Sequence, residues 1–293
     1  SDEAYKATTF TANDNAGNLI ITGAVGTTLN NGSQGTVTAG AAVVYNNINN
    51  NFTSAIKNGS SITATGTDGI VVRSDSDTLL VGVAAGAAAS KGQNGLAASG
   101  SASVQKLNAA TTATVEDSTL TADKTNVEAE STSRLIDVAG QVSATKGNVA
   151  VGLTTADNIL NNTTGAYVKG STLAANNTAT GSKVTVKATN DSKNYAIAVG
   201  VAASSNQTGA VLQGSMAMNS GANNTEAIVE KNADKYDETT GTGRSKITNA
   251  AGIDVTSADN TIMKAIAGSV SATQGSAAVG GAAGQGSAFV AKP

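Results

Sequence analysis

Apolar and polar residues alternate along short blocks of this chain. Val184 and Val186 fall on one parity, while Lys183, Thr185 and Lys187 fall on the other. Alternation of this kind, rich in Val, Ile and Thr and bounded by clusters of Gly, Asn and Ser, predicts β-strands. A period of 3.6 residues is not sustained in any block, so we expect very little helix.

The blocks recur in a fixed order, which indicates a repeat protein. A frame of two glycines separated by four small or apolar residues marks each copy, at intervals of 60, 52, 62 and 66 residues. The five frames are Gly35/Gly40, Gly95/Gly100, Gly147/Gly152, Gly209/Gly214 and Gly275/Gly280. We predict one β-solenoid segment over 1–293, with repeat units at about 19–78, 79–134, 135–193, 194–261 and a partial unit at 262–293.

Strand repeats that bury their apolar faces on one another form solenoids or propellers. The aromatic signatures of propeller blades are missing, so a parallel β-helix fits better. At roughly 20 to 30 residues per coil, each unit would make two or three coils and the chain about 10 to 14, a rod about 50 to 65 Å long. We expect Asn-rich segments such as 46–51 to form corners and to stack as hydrogen-bonded ladders.

Composition agrees with a thin interior. Aromatic residues make up 3% of the chain, Trp and Cys are absent, and there are 33 Gly and 1 Pro. A disordered chain of this polarity would be expected to carry more Pro and a net charge further from zero than −3. The slight acidity disfavours nucleic acid as a partner, and no apolar run is long enough to predict a membrane-spanning helix.

Catalytic chemistry is poorly represented. The chain has no His, which removes the usual general base and zinc ligand. The glycine frame is not a phosphate loop, because no Lys followed by Ser or Thr comes after its second glycine. Asp68, Asp75 and Asp77 could ligate Ca²⁺, but a solvated corner is the favoured interpretation. We therefore predict no catalytic residue, no metal site and no cofactor.

One segment, 230–244, departs from the repeat. It lengthens the fourth unit and concentrates charges of both signs. Insertions in solenoids form loops on one face and often bind partners, although a mobile solvated loop is the favoured alternative. The candidate partner-binding residues are Asp234, Lys235, Tyr236, Asp237, Glu238 and Arg244.

The stretch 253–262, running into 267–270, is similar to a known family, as are 158–163 and 166–168. These residues resemble repeats in giant secreted bacterial exoproteins, the filamentous-haemagglutinin-like and leukotoxin-like adhesins. The resemblance covers nearly the whole chain, although its motifs are degenerate. It implies a right-handed β-helix, type V secretion and a role as a stalk or adhesive shaft, although the family's secretion domain and outer-membrane barrel have no counterpart in the sequence.

The first functional hypothesis is therefore a non-catalytic shaft, extracellular or on the bacterial outer surface, and excerpted from a longer protein. It would display stacked Asn, Thr and Lys to glycans or proteins of host cells, other bacteria or matrix, and its open ends would associate end to end. The alternatives are a carbohydrate-active β-helix of the polysaccharide lyase or tailspike type, and the head of a trimeric autotransporter.

Overall fold

The computed structural model describes residues 5–32, 37–176, 181–275, 277–286 and 289–290, and these ranges contain strands and connections but no helix. The strands are β1 (Tyr5–Asn30), β2 (Val37–Ile56), β3 (Ser61–Ser90), β4 (Leu96–Glu116), β5 (Thr119–Thr121), β6 (Lys124–Thr145), β7 (Val149–Lys169), β8 (Thr172–Ala174), β9 (Lys183–Ser204), β10 (Ala210–Glu230), β11 (Lys246–Thr248), β12 (Gly252–Thr273), β13 (Ala277–Gly286) and β14 (Phe289–Val290).

The strands form two facing parallel sheets. The long strands of sheet A are β1, β3, β6, β9 and β12, and those of sheet B are β2, β4, β7, β10 and β13. The three-residue strands β5, β8 and β11 extend sheet A as a short ladder that begins on the first residues of β3. The prediction of a parallel β-helix is confirmed.

Each sequence repeat makes one coil. Val37 in β2 pairs with Leu96 in β4, and Leu96 pairs with Val149 in β7, so the register advances by one repeat from strand to strand. The expectation of two or three coils per repeat, and of 10 to 14 coils in a long rod, is wrong. A strand of 22 residues such as β6 spans about 70 Å, whereas five coils stack over only about 20 Å.

The coils are wide because the Asn-rich segments do not turn. Residues 46–51 lie inside β2 and residues 158–162 lie inside β7, so both run straight through sheet B. The backbone turns instead at residues with positive φ near the ends of the sheet B strands, including Asn58 (63°), Asp117 (48°) and Gly170 (57°). The expectation that the Asn runs form corners is therefore wrong.

In the described frames, the first glycine belongs to the tight connection from sheet A to sheet B, whereas Gly35 lies outside the described residues. Thr145 Oγ1 accepts a hydrogen bond from the backbone N–H of Gly147 at 2.8 Å and donates to the carbonyl of Gly95 at 3.3 Å. A Cβ on Gly147 would overlap the backbone of Gly95 in the coil below, so no larger residue fits. We call this side of the stack the connection end.

The core is a thin layer between the sheets. The predicted inward residues Val184 and Val186 are 3% and 0% exposed, which confirms the parity assigned to that strand. A leucine cluster lies near the middle of the long strands, and Ala-rich clusters fill the part toward the connection end. The described residues include no helix that is long and apolar enough to span a bilayer.

Candidate interaction surfaces

The insertion folds against the corner of the stack. Residues 231–245 connect β10 to β11, and Asn232 Nδ2 donates to both carboxylate oxygens of Asp117 at 2.9 Å. Lys235 Nζ lies 2.7 Å from the same carboxylate. The loop crosses Gly170, where an added Cβ would come within 2.7 Å of the Asn232 side chain. The lysine and the amide lower the pKa of Asp117, so this carboxylate is a charged anchor for the loop.

The other predicted residues of the loop are partly used within it. Lys231 Nζ lies 3.8 Å from the ring centroid of Tyr236, and Arg244 donates to the Tyr236 hydroxyl at 3.2 Å. Asp237 accepts hydrogen bonds from the backbone of the following turn, which lowers its pKa. Asp234 and Glu238 are exposed, and their role in binding a partner stays a prediction.

A larger surface lies on the outside of sheet A. Outward residues of β3 at 79, 81, 83, 85, 87 and 89 are apolar, and the residues paired with them in the other coils are mostly apolar too. Val142, Val199 and Ile266 on this surface are 50%, 45% and 58% exposed. A column here is the set of residues that pair with one another across successive strands of the sheet. We call these six columns across β1, β3, β6, β9 and β12 the sheet A apolar face.

The size of this face distinguishes it from ordinary surface. Six columns spaced two residues apart on five strands cover roughly 900 Å². Monomeric proteins rarely expose apolar patches beyond about 300 to 600 Å². Lys91 and Lys146 border the face at the connection end. The column at the opposite border of the face contains Arg134 and Lys193. Asp77 and Asp191 lie in the next column beyond that border.

The sequence interpretation missed this face because it expected an outer surface of Asn, Thr and Lys. The signal was present in residues 79–89, where both parities are apolar or small. A strand that is apolar on both parities is typical of a sheet that is covered on both sides. The alternation in 183–188, which was used to define the strands, comes from a different part of sheet A.

The expected Asn ladder is present on the outside of sheet B. Asn108 Nδ2 donates to Asn49 at 2.7 Å, and Asn161 Nδ2 donates to Asn108 at 2.9 Å. Beside it, the hydroxyls of Thr53 and Thr112 are 3.0 Å apart. Toward the connection end this surface also becomes apolar, with Leu153 being 61% exposed. Sheet B therefore carries a polar ladder next to a second apolar area.

Of the three Asp residues that could ligate Ca²⁺, Asp75 belongs to an ion-pair cluster on β3 and β6, whereas Asp68 and Asp77 lie at exposed positions outside this cluster. Arg73 lies 2.7 Å from Asp75, 3.6 Å from Glu128 and 3.0 Å from Glu130, and these carboxylates raise the pKa of Arg73. Nowhere in the described ranges do three or more acidic, His or Cys residues come together in a way that could hold a metal ion.

One carboxylate is buried between the sheets. Asp137 on β6 is 0% exposed and accepts a hydrogen bond from the backbone N–H of Asp157 at 3.0 Å. Burial raises its pKa to about 6, and nearby Ser103 and Gln105 only partly offset this effect. Because both sheets enclose it, this acid faces no substrate and is part of the interior.

Comparisons with known proteins identify no relative. Neither a scan of protein-family models nor searches of curated proteins and solved structures found a match. The fold and its surfaces therefore carry the functional argument.

Proposed function

We propose that this chain is a non-catalytic structural and adhesive shaft of a large bacterial surface or secreted exoprotein. It attaches to glycans or proteins of host cells, other bacteria or matrix. The observation that carries the proposal is the in-register stack, in which each long strand pairs along its length with the same strand of the next repeat. The type V export route and the extracellular location rest on the resemblance to secreted repeat adhesins.

The stack suits a shaft for two physical reasons. In the described residues the strands of each coil pair only with strands of the adjacent coils, so stability is approximately additive and the shaft can be lengthened without redesigning a core. Like side chains also recur at about 4.8 Å, as in the Asn49–Asn108–Asn161 ladder, so a weak contact is repeated along one line. Repeated weak contacts that engage together can raise avidity by about 10²- to 10⁴-fold.

Binding is tested with the purified chain on fluorescent beads. The beads are offered epithelial cells, bacterial cells, matrix proteins and an array of glycans, with albumin-coated beads as the control. We expect saturable binding to at least one of these targets. If no target binds above the albumin control, the adhesive part of the proposal is wrong and only a spacer remains.

Two variants then locate the binding surface. Asn108→Ala/Asn161→Ala removes the centre of the ladder, and Asp234→Asn/Glu238→Gln neutralises the exposed carboxylates of the insertion while leaving Asp237 in its turn. We expect the ladder variant to weaken glycan binding and the loop variant to leave it unchanged. The reverse result would assign binding to the insertion.

The non-catalytic part has its own test. The intact chain is incubated with a panel of polysaccharides, and reducing ends and unsaturated sugars are measured. We expect no release above the heat-denatured control. Release of either product would replace the shaft by the carbohydrate-active alternative.

A further inference from the structure

We infer that two copies of this chain pair side by side through the sheet A apolar face. Their stacking axes run in the same direction, and their strands run antiparallel across the interface. The pairing goes beyond the proposed adhesive role, and the area, shape and charge of the face support it.

The first support is area. The face covers roughly 900 Å² and is flat, because it is the outer surface of a regular sheet. Stable interfaces bury about 800 Å² on each partner, so one face suffices for a specific dimer. Two such sheets can pack face to face at about 10 Å.

The second support is shape. A twofold axis along the stacking direction, placed between the columns of Val83 and Ala85, brings each coil against the same coil of the partner. In the two central columns a large side chain then meets a small one in four of the five coils. The facing pairs there are Gly23 and Val25, Val83 and Ala85, Val138 and Gly140, Ile197 and Val199, and Ile266 and Gly268. In the next pair of columns larger residues meet, with Ile136 facing Val142 and Tyr195 facing Val201, and Lys264 faces Val270.

The same axis matches the columns at the borders. The column of Leu79, Arg134, Lys193 and Ile262 faces the partner's column of alanines at 89, 144, 203 and 272. Small alanines leave room for the long stems of Arg134 and Lys193. The charged end of Lys193 lies 3.5 Å from Asp191 of its own strand. In these four coils large residues thus meet small ones at the border as well, whereas in the coil of β1 Leu19 faces the partner's Leu29.

The third support is charge, and it selects the orientation. The axis places Lys91 opposite the partner's Asp77, and it brings Lys146 within one coil of the partner's Asp191. A twofold axis along the strands would instead place the lysines of one connection end over those of the other. Like charges in contact disfavour that arrangement.

The consequence is a closed, two-stranded shaft. Because the axis is parallel to the stack, both copies extend in the same direction and each added coil extends the interface. A twofold interface closes at two copies, whereas end-to-end joining of sheet edges would produce open chains. The two forms of self-association therefore give different mass distributions.

The test is sedimentation velocity of the chain at concentrations from about 1 to about 100 µM, which brackets micromolar affinity. We expect a concentration-dependent dimer. Val142→Lys/Val199→Lys should weaken it by about 100-fold, equivalent to about 2.8 kcal/mol. The matched control, Leu153→Lys/Leu212→Lys, makes the same change on the outside of sheet B and should leave the dimer intact. Circular dichroism verifies that both variants fold.

Several results would overturn the pairing: a monomer at every concentration, open chains unaffected by Val142→Lys/Val199→Lys, or a dimer equally sensitive to the control. A monomer that floats with phosphatidylcholine–phosphatidylglycerol vesicles would assign the face to lipid instead.

Orientation is tested by Lys91→Glu, which should weaken the dimer, and by adding Asp77→Lys, which should restore it. Failure of restoration would refute the antiparallel arrangement.

Discussion

Replacing Asp137 by Asn should stabilise the protein above pH 6. Asp137 is enclosed between β6 and the facing strands of sheet B, and burial raises its pKa to about 6 from an unperturbed 3.8. The charge that acts on Asp137 is the like charge of Asp157, so ionisation in the folded state gains no attraction. Asparagine keeps the shape and the oxygen that accepts from the backbone of Asp157.

The sign and size follow from linkage. Below about pH 3 the acid is largely protonated in both the folded and unfolded states, so its burial costs almost nothing. As the pH rises from 3.8 to 6, the unfolded chain releases the proton first and stability falls. Above pH 6 the full cost of about 3 kcal/mol is present, from a difference of about two pKa units at 1.36 kcal/mol each.

Urea unfolding, followed by far-ultraviolet circular dichroism at five pH values between 4 and 8, measures the difference between Asp137→Asn and the parent chain. We expect a difference of about 0.5 kcal/mol at pH 4 that grows to about 3 kcal/mol in favour of the variant at pH 7 and above. Asp68→Asn, at an exposed position, is the control and should change stability by less than about 0.5 kcal/mol. A difference that does not vary with pH, or a variant that is less stable at pH 8, would refute the reasoning.

Three further predictions concern the stack itself. Gly147→Ala forces a methyl group into the backbone of the adjacent coil and should lower the free energy of unfolding by about 3 kcal/mol. The control is Gly281→Ala, whose added methyl group meets nothing within 4 Å and should change the free energy of unfolding little. Equal urea midpoints for the two variants would contradict this account. Leu135→Ala leaves a void in the buried leucine cluster and should cost about 3 kcal/mol in the same assay, and a cost under about 1 kcal/mol would show that the sheets collapse around it. Asn232→Ala removes two hydrogen bonds to Asp117 and should speed tryptic cleavage in 231–245 several-fold. The free energy of unfolding of the stack should stay within about 0.5 kcal/mol of the parent value. Unchanged cleavage would show that the loop does not depend on this anchor.

The insertion shows which of its features the local sequence pattern predicts and which it does not. Its position, length and charge were evident because 230–244 interrupts the repeat. The attachment of the insertion to the stack was not evident from the sequence. Its contact residue Asp117 lies two strands away from Asn232 in the sheet and 115 residues away along the chain. Binding of a partner by Asp234 and Glu238 is the alternative that the loop variant tests.

The sequence by itself determined the class of fold. Alternation assigned the strands, the recurring glycine frame marked the connection between the sheets, and the scarcity of large side chains indicated a thin core. These features are local or periodic, so they can be identified without knowing which strands pair. The parity of Val184 and Val186 and the parallel stacking of the repeats were correct for this reason.

Only the tertiary structure decided where the chain turns and what its outer faces present. Asn suits both a corner and a ladder, and it was the pairing of Asn49 with Asn108 on a flat sheet that selected the ladder. The number of residues per coil followed from that choice. The sheet A apolar face likewise exists only because five distant segments come into register, which places residues more than fifty positions apart in one column.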